Sequence, residues 1–345
     1  MKKLCVTFIA ISCAIVAILG GCSLDPDRKL DKAIDSYNEK KPNALQSLEN
    51  EFINTISIGS VEETDLQSSG TLLYKIHDNG AEVIYPSKNK YTLTDNDTVC
   101  CVDRTSDYAV ISDGIKFSIY DGDGDHRNDE TIGEKKKPVK AVIVDGDTII
   151  YYKGFKLYRY SIIHNTSESM LKDSFPPPYA NHYKVTLSKR DDFICIMSGI
   201  AGSYFFNLIQ LSTGAVVIKN LAMSSSKYHW GINTIHYTTG NSGNWEIMQY
   251  AIDGKVKKSL AKLSDIIDIE LVGHGYVLES STGLWTALYG KEKRPIPFAY
   301  RLAGTYKGRI ILLYGNSYYF IDFNKLLAGL NKLEEKTPDL FTRSR

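Results

Sequence analysis

The stretch "KAVIVDGDTIIYYKGFKLYRYSI", residues 140–162, contains three short runs of β-branched and aromatic residues that are separated by glycine-containing turns. Valine, isoleucine and tyrosine are enriched in strands, whereas glycine next to a polar residue marks a tight turn. No helical pattern lies between the runs, so each strand is expected to pair with the next one in antiparallel fashion. The stretch therefore predicts consecutive β-hairpins.

The same pattern of short apolar runs separated by turn residues recurs along the chain after Thr55. Four tyrosines each end a second or third strand of such a unit: Tyr120, Tyr160, Tyr250 and Tyr289. The first two and the last two are roughly 40 residues apart, the period of a four-stranded β-propeller blade. A slightly longer unit around Leu211 fills the gap between Tyr160 and Tyr250. The span from Phe52 to Phe323 therefore predicts an all-β fold, a β-propeller of about seven blades. Six or eight blades, and a pair of two-sheet β-sandwiches, are the alternatives.

Helical patterns flank this region on both sides. Near the N-terminus, Leu30, Ile34 and Tyr37 recur at helical spacing, and Pro42 interrupts the pattern before a second apolar stripe begins. This arrangement predicts a short helical hairpin. Near the other end, four leucines fall on one helical face: Leu326, Leu327, Leu330 and Leu333. They predict a short C-terminal helix, and the tail beyond Thr337 is predicted to be disordered.

Two segments resemble the hairpins of quinoprotein-like and WD-like propellers. They are "LIQLSTGAVVI", residues 208–218, and "IMQYAIDGKVKKS", residues 247–259, each an outer strand, a Thr-Gly or Asp-Gly turn and a further strand. The turn glycine, Gly214 or Gly254, is expected to have the positive φ that a tight hairpin requires. Both segments lack the tryptophan that usually closes the family repeat, so no quinone cofactor is inferred.

The first residues have the order of a secretion signal. Lys2 and Lys3 precede an apolar run, residues 4–19, that is shorter than a typical membrane-spanning helix. The end of that run, Leu19-Gly20-Gly21-Cys22, resembles the lipobox of bacterial lipoproteins. This resemblance implies cleavage before Cys22 and acylation of that cysteine on its thiol and its amine. An ordinary signal peptide with a chance cysteine is the alternative.

Acylation would anchor the chain to a membrane without spanning it. Each buried CH₂ of an acyl chain contributes about 0.8 kcal/mol, so several chains on Cys22 give stable binding. Ser23 and Leu24 follow, and neither is the aspartate that favours inner-membrane retention in enterobacterial lipoproteins. The predicted location is the bacterial cell envelope, at the outer membrane. The predicted organisation is a signal peptide (1–21), a lipid-anchored helical segment (22–52), the propeller (53–323), and a C-terminal helix with its tail (324–345).

The charge of the chain bears on the partners that it can bind, and its cysteine content bears on the disulfides that it can form. The chain carries 41 Lys and Arg against 40 Asp and Glu, and so lacks the basic excess typical of nucleic-acid binding. Removal of the signal and acylation of Cys22 leave Cys100, Cys101 and Cys195, an odd number. Buried free thiols are expected, with a disulfide from Cys195 to one of the adjacent pair as the alternative. On a strand, the side chains of Cys100 and Cys101 would point to opposite faces.

An acidic loop, "IYDGDGDHRNDETIGE", spans residues 119–134. Four of its side chains fall at relative positions one, three, five and nine: Asp121, Asp123, Asp125 and Asp129. Carboxylate oxygens suit the hard cation Ca²⁺. The spacing resembles an EF-hand loop in which His126 and Ile132 replace the usual Gly and Glu, and it resembles more closely the calcium hairpins of integrin-type propeller blades. The prediction is a structural Ca²⁺, and a solvated Asp-Gly turn is the alternative.

An aromatic-rich segment, "SSSKYHWGINTIHYTTGNSGNW", spans residues 224–245. Three consecutive side chains are the candidate ligand-binding residues: Tyr228, His229 and Trp230. Aromatic loops suit sugar or protein contacts because they offer a large contact area at low entropic cost. The alternative is that Trp230 and Trp245 belong to the core between blades.

No catalytic motif accompanies these features, since the sequence lacks HExxH, G-x-S-x-G and P-loop patterns. The predicted function is therefore non-enzymatic: a membrane-anchored propeller that binds proteins of the bacterial envelope. An outer-membrane assembly lipoprotein with a quinoprotein-like propeller shares this layout and implies an interaction role by analogy. A glycan- or peptide-binding propeller is the alternative. A propeller hydrolase or lyase is the lesser alternative. It stays open because catalytic residues drawn from different blades would leave no local motif.

Overall fold

Short strands joined by tight turns form seven antiparallel sheets of four strands each, which confirms the predicted seven-bladed β-propeller. The computed structural model describes residues 26–39, 41–62, 66–68, 73–77, 80–85, 89–93, 99–176, 183–200, 203–241, 244–253 and 256–342. The predicted signal peptide and Cys22 lie outside the described residues. Across the described ranges, no helix combines the length and the apolar character needed to cross a bilayer.

The first strand, β1 (Ser57–Glu62), is followed by six blades in chain order. Blade 1 contains β2 (Gln67–Ser68), β3 (Leu73–His77), β4 (Gly80–Tyr85) and β5 (Asn89–Thr92). Blade 2 contains β6 (Cys101–Arg104), β7 (Tyr108–Ser112), β8 (Lys116–Asp121) and β9 (His126–Thr131). Blade 3 contains β10 (Val139–Asp145), β11 (Thr148–Lys153), β12 (Lys156–Ser161) and β13 (Thr166–Ser169).

The remaining blades follow the same plan. Blade 4 contains β14 (Lys184–Arg190), β15 (Phe193–Ile200), β16 (Ser203–Gln210) and β17 (Val216–Met223). Blade 5 contains β18 (Tyr228–Trp230), β19 (Thr234–Asn241), β20 (Asn244–Ala251) and β21 (Lys257–Ser264). Blade 6 contains β22 (Asp268–Val272), β23 (Gly275–Ser280), β24 (Gly283–Leu288) and β25 (Arg294–Ile296). Blade 7 contains β26 (Arg301–Tyr306), β27 (Arg309–Tyr314), β28 (Ser317–Ile321) and, as its outermost strand, β1.

Strand β1 closes the ring, because it comes from the N-terminal side of the chain and completes the last blade. Its residues pair antiparallel with β28, from Ser57 opposite Ile321 to Glu62 opposite Ser317. The first strands of neighbouring blades contact one another around the centre, as β6 contacts β10 and β10 contacts β14. Strand β26 of blade 7 in turn contacts β2 of blade 1.

Apolar clusters fill the spaces between neighbouring blades. The cluster between blades 2 and 3, for example, brings Val110, Phe117 and Ile119 against Tyr151 and Tyr160. Phe117 meets the Tyr151 ring edge-on at a centroid distance of 5.4 Å. Burying a side chain of this kind contributes about 1.5–3 kcal/mol, so the interfaces between blades stabilise the ring.

Helices fill the space between blades 6 and 7. They are α1 (Pro26–Glu39), α2 (Lys41–Ile56), α3 (Phe323–Lys336) and α4 (Pro338–Thr342). One buried cluster joins Phe52 of α2 and Leu330 of α3 to Leu284 of blade 6 and Leu312 of blade 7. The predicted helical hairpin and C-terminal helix are therefore confirmed, and both contribute to a core between two blades.

Residues 338–342 form a short helix, so the prediction that the tail is disordered beyond Thr337 is wrong for this segment. Leu340 and Phe341 of α4 are buried in the same cluster as the other helices. The Thr337 hydroxyl donates to the Leu333 carbonyl at 2.6 Å and its backbone amide to the same oxygen at 2.8 Å. Two apolar residues in a five-residue helix are too few to give a helical period, which is why the sequence pattern missed them.

A positive φ is predicted for the turn glycines Gly214 and Gly254. Gly214 has a φ of +66°, as the Thr-Gly hairpin requires, whereas Gly254 lies outside the described residues. Between β11 and β12, both Gly154 and Phe155 have positive φ, at 54° and 69°. Positive φ at both central residues is the signature of the type I′ turn, whose twist matches that of the strands it joins.

Candidate functional site

The aromatic triplet Tyr228, His229 and Trp230 forms the whole of β18, the first strand of blade 5. Because side chains alternate along a strand, Tyr228 and Trp230 share one side, where they pack on the cluster between blades 4 and 5. The Tyr228 hydroxyl is hydrogen-bonded to Ser188, and burial raises the pKa of this phenol well above its usual value. The alternative interpretation placed Trp230 and Trp245 between blades, and both pack there, Trp230 with Tyr228 on this cluster and Trp245 on the cluster between blades 5 and 6. A ligand-binding role for Tyr228 and Trp230 stays a prediction.

His229 points to the other side of β18, toward blade 6, where it meets further histidines. Its ring stacks on His236 at a centroid distance of 6.0 Å with 10° between the planes. The His236 ring lies 4.8 Å from that of Tyr289 in blade 6. In the part of the chain that the structure describes, Nδ1 of the buried His236 has no hydrogen-bond partner. His229 and His236 both fall in the aromatic-rich segment 224–245. Local pattern could not show that their rings stack or that Tyr289 joins them, because these contacts cross between strands and blades.

Burial holds this histidine pair in the neutral state. Burial, together with the nearby positive groups of His236, Arg190 and His274, lowers the pKa of His229 to about 4. Burial also lowers the pKa of His236. Two neutral imidazoles at neutral pH can accept hydrogen bonds, and protonating either of them is unfavourable where it lies.

The four aspartates of the acidic loop are divided between a turn and a strand. Asp121, at the end of β8, accepts hydrogen bonds from the backbone amides of Asp123 at 3.2 Å and Asp125 at 3.0 Å. Asp129 lies on β9, where its carboxylate accepts from the Ser118 hydroxyl at 2.7 Å. His126 is also hydrogen-bonded to Asp129, at 3.0 Å. The turn is thus stabilised by its own hydrogen bonds.

Across the described ranges, no group of three or more His, Cys, Asp or Glu side chains is arranged to hold a metal ion. The side chains of Asp121 and Asp129 are engaged in different hydrogen bonds rather than directed at a common point. A calcium ion on the four aspartates stays a prediction from the sequence.

Charged side chains link the first strands of neighbouring blades, and sequence reasoning missed them. The Lys227 ammonium, just before β18, forms an ion pair with Glu270 of β22. On the other side of the ring, Asp103 of β6 accepts from the Val144 amide of β10 at 2.7 Å, and burial raises the pKa of Asp103 to about 6. Such links fix the spacing of adjacent blades, and only the folded topology brings their partners together.

The three described cysteines are free, and one of them differs from the expected buried state. Cys195 is buried, as predicted, and burial raises its thiol pKa to about 12. Cys100 is exposed and Cys101 is half-buried.

Three well exposed apolar side chains lie on one face of the propeller. Strands of a blade alternate in direction, so the turns joining its first to its second strand and its third to its fourth lie on the same face, called here the AB face. Three isoleucine or valine side chains project there: Ile163 (62% exposed), Ile232 (92% exposed) and Val256 (60% exposed). On the opposite face Ile267, in the connection from blade 5 to blade 6, is 63% exposed.

No known protein-family model matches the sequence, and no curated protein matches it. Among solved structures, a chain of the Mitotic Checkpoint Complex superposes with a TM-score of 0.50 at 10% sequence identity, covering 78% of this chain and 92% of that chain. BamB from Moraxella catarrhalis gives a TM-score of 0.46 at 10% identity, covering 77% of this chain and 99% of that chain. At identities this low, such likeness bears on the fold alone. The similarity to the checkpoint-complex chain agrees with the seven-bladed β-propeller seen here.

Proposed function

We propose that this chain is a lipid-anchored lipoprotein of the bacterial envelope whose propeller is a non-enzymatic scaffold for protein partners. The observation that carries the proposal is the AB face, where Ile163, Ile232 and Val256 expose most of their apolar surface on turns between strands. Exposed apolar side chains suit protein contacts, because binding removes them from water.

The position of Cys22 in the sequence supports anchoring close to the ring. Only three residues separate Cys22 from Pro26, where α1 begins. An extended chain spans at most about 3.6 Å per residue, so the acylated cysteine would lie within roughly 15 Å of α1. Helix α1 packs into the space between blades 6 and 7. The anchor would therefore hold the rim of the propeller near the membrane and leave the blades farther along the ring accessible.

A cleft between blades 2 and 3 favours the second candidate function, binding of a glycan or a peptide. It has a volume of about 420 Å³ and is lined by Ile119, Arg127, Asn128, Ile162 and Asn165. This size falls within the range of small-ligand sites, and its amide and guanidinium groups are donors suited to sugar hydroxyls or peptide carbonyls.

The scaffold is tested by cross-linking in intact cells, purification of the full-length protein from detergent-solubilised envelopes, and mass spectrometry of what accompanies it. A Cys22→Ala variant is the matched control. The proposal expects a stoichiometric protein partner with the native chain and its loss with the variant. A native protein that purifies without partners would contradict the scaffold and favour the cleft as the functional site.

The anchor is tested separately by metabolic labelling with an alkyne analogue of palmitate, followed by membrane fractionation. Label and protein should both be found in the outer-membrane fraction, and Cys22→Ala should carry no label and leave that fraction. A native chain without label would overturn the anchor while leaving the scaffold proposal to the cross-linking result.

A further inference from the structure

Two adjacent cysteines bring their sulfur atoms together at the start of the first strand of blade 2. The Sγ atoms of Cys100 and Cys101 lie 3.3 Å apart, and either thiol can donate to the other. Neighbouring side chains on a regular strand point to opposite faces. Strand β6, however, begins only at Cys101, so Cys100 is free of that alternation. The opposed arrangement expected for two residues on a strand therefore does not apply here, and the two thiols lie side by side.

The backbone around the pair is held in place by blades 2 and 3. The Cys100 amide donates to the Ser112 carbonyl at 2.7 Å, and Cys101 pairs with Ser112 in the sheet. The Sγ of Cys100 lies 3.7 Å from the Val139 carbonyl oxygen at the start of blade 3. The thiol pair is thus a defined arrangement at a contact between blades.

The two thiols differ in exposure and in acidity. Cys100 is exposed, whereas Cys101 is half-buried. The hydrogen bond that they share lowers the pKa of Cys100 and raises that of Cys101, and the positive charge of Lys140 also lowers the pKa of Cys100. An exposed thiol of lowered pKa is the more reactive nucleophile. Cys100 therefore has the properties of the attacking group and Cys101 those of the second, resolving group.

We propose that Cys100 and Cys101 are a redox site that closes reversibly into a vicinal disulfide by exchange with the disulfide of a small thiol or of a protein. The Cys100 thiolate attacks one sulfur of the donor disulfide, a mixed disulfide forms, and the first donor thiolate leaves and takes up a proton. The Cys101 thiolate then attacks Sγ of Cys100, the disulfide between the two cysteines forms, and the second donor thiolate leaves and is protonated. Two protein thiols are oxidised and one donor disulfide is reduced to two thiols.

Chain geometry makes this disulfide a switch rather than a permanent cross-link. Neighbouring Cα atoms lie about 3.8 Å apart, closer than the roughly 4.4–6.8 Å of ordinary disulfides, so the bond is strained and easily reduced. Two residues farther on, Asp103 accepts from the Val144 amide of blade 3. Forming and reducing the disulfide between Cys100 and Cys101 would therefore act directly on the contact between these blades.

The test treats the purified full-length protein in its native state with oxidised glutathione, blocks free thiols with iodoacetamide, and digests with trypsin. Cleavage after Lys90 and Arg104 places both cysteines on one peptide, residues 91–104, apart from Cys195. The proposal expects this peptide to lose two hydrogen atoms and to escape alkylation, and dithiothreitol to reverse both changes.

Variants identify the order of attack. Cys101→Ser should trap glutathione on Cys100, with at least about tenfold more adduct than the native chain, because the resolving thiol is gone. Cys100→Ser, at an exposed position, should give neither adduct nor disulfide, and Cys195→Ser should behave as the native chain does. A peptide that stays reduced, a link to Cys195, or equal glutathione adduct in the native chain and Cys101→Ser would each overturn the proposal.

Discussion

Individual charged residues hold neighbouring blades together at the centre of the ring. Glu270 is 2% exposed, and its charged partner is Lys227, which enters from the adjacent blade. Asp103 plays a related part between blades 2 and 3 by accepting a backbone amide. A buried carboxylate that loses its cation remains in a medium of low polarity without compensation.

Replacing Lys227 by methionine keeps much of the side-chain volume and removes the charge. We expect Lys227→Met to lower the free energy of unfolding by about 3 kcal/mol, because Glu270 stays buried without its cation. The measurement is urea denaturation at neutral pH. Lys189→Met is the matched control, since Lys189 pairs with the 42% exposed carboxylate of Asp145 and its loss should cost less than about 1 kcal/mol. Equal losses in the two variants would contradict this account of the inner links.

The pKa of His229 predicts how stability depends on pH. Burial lowers that pKa to about 4 in the folded chain, below the usual histidine value. Between these two values the unfolded chain binds a proton that the folded chain does not, so the free energy of unfolding falls as the pH falls. From about pH 7 to about pH 5 the loss from this one residue is up to about 2 kcal/mol.

Urea denaturation at both pH values measures this effect. His229→Gln should show a smaller acid loss of stability than the native chain, whereas His164→Gln, at an exposed turn, should match the native chain. An unchanged pH dependence in His229→Gln would refute the assignment.

Sequence reasoning identified Tyr228, His229 and Trp230 as noteworthy but gave them one role, whereas the strand divides them. Alternation places His229 away from its two neighbours and beside His236, a residue on the next strand. The relevant contacts cross between strands and blades, and these contacts depend on register, which local pattern does not specify.

At the scale of elements, the helices act as packing units between blades 6 and 7. Phe52 of α2 is fully buried and lies 5.1 Å from the Phe298 ring, measured between centroids. Gly329 of α3 permits close approach, because a Cβ at that position would lie 2.9 Å from the side chain of Ile56. Through these contacts, α2 and α3 share one buried core with blades 6 and 7.

Truncating Phe52 tests this packing. Phe52→Ala should lower the free energy of unfolding by about 3–5 kcal/mol, since it removes buried apolar area and leaves a cavity. Leu45→Ala in the same helix is the control, because Leu45 is 40% exposed and its truncation should cost less than about 1 kcal/mol. Thermal and urea melts of the two variants measure the difference. Comparable effects would mean that α2 does not belong to the core.

The helical elements were largely readable from sequence. The apolar spacing and Pro42 predicted a hairpin, and α2 continues to Ile56, four residues past the predicted end of the helical segment. What the pattern did not show is where the hairpin packs, because the partner surface comes from blades 6 and 7 near the other end of the chain.

At the scale of the whole molecule, the period of the hairpins predicted seven blades, but not how the ring closes. Strand β1, "SIGSVE", is short and mostly exposed, so it carries no clear strand signal. Its pairing with β28 joins the two ends of the propeller region. Closure of this kind is set by which edge remains unpaired once the other blades have formed.

Hydrogen–deuterium exchange tests the closure without any substitution. The amides of β1 (Ser57–Glu62) should be protected at least as well as those of β13 (Thr166–Ser169), the outermost strand of blade 3. The reason is that β1 is tied at its start to the buried helix α2, so it opens only when the helical core opens. Exchange of β1 at the rate of an unstructured peptide would show that the ring is open.

The most direct test of the scaffold proposal is site-specific photo-cross-linking in intact cells. A photoreactive amino acid replaces Ile232 on the AB face or Ile267 on the opposite face, two positions that are both exposed. The account predicts one abundant protein adduct from position 232, little from position 267, and loss of the adduct when Cys22→Ala is added. Absence of any protein adduct from position 232, and likewise from positions 163 and 256, would contradict the proposal that this face binds a protein partner.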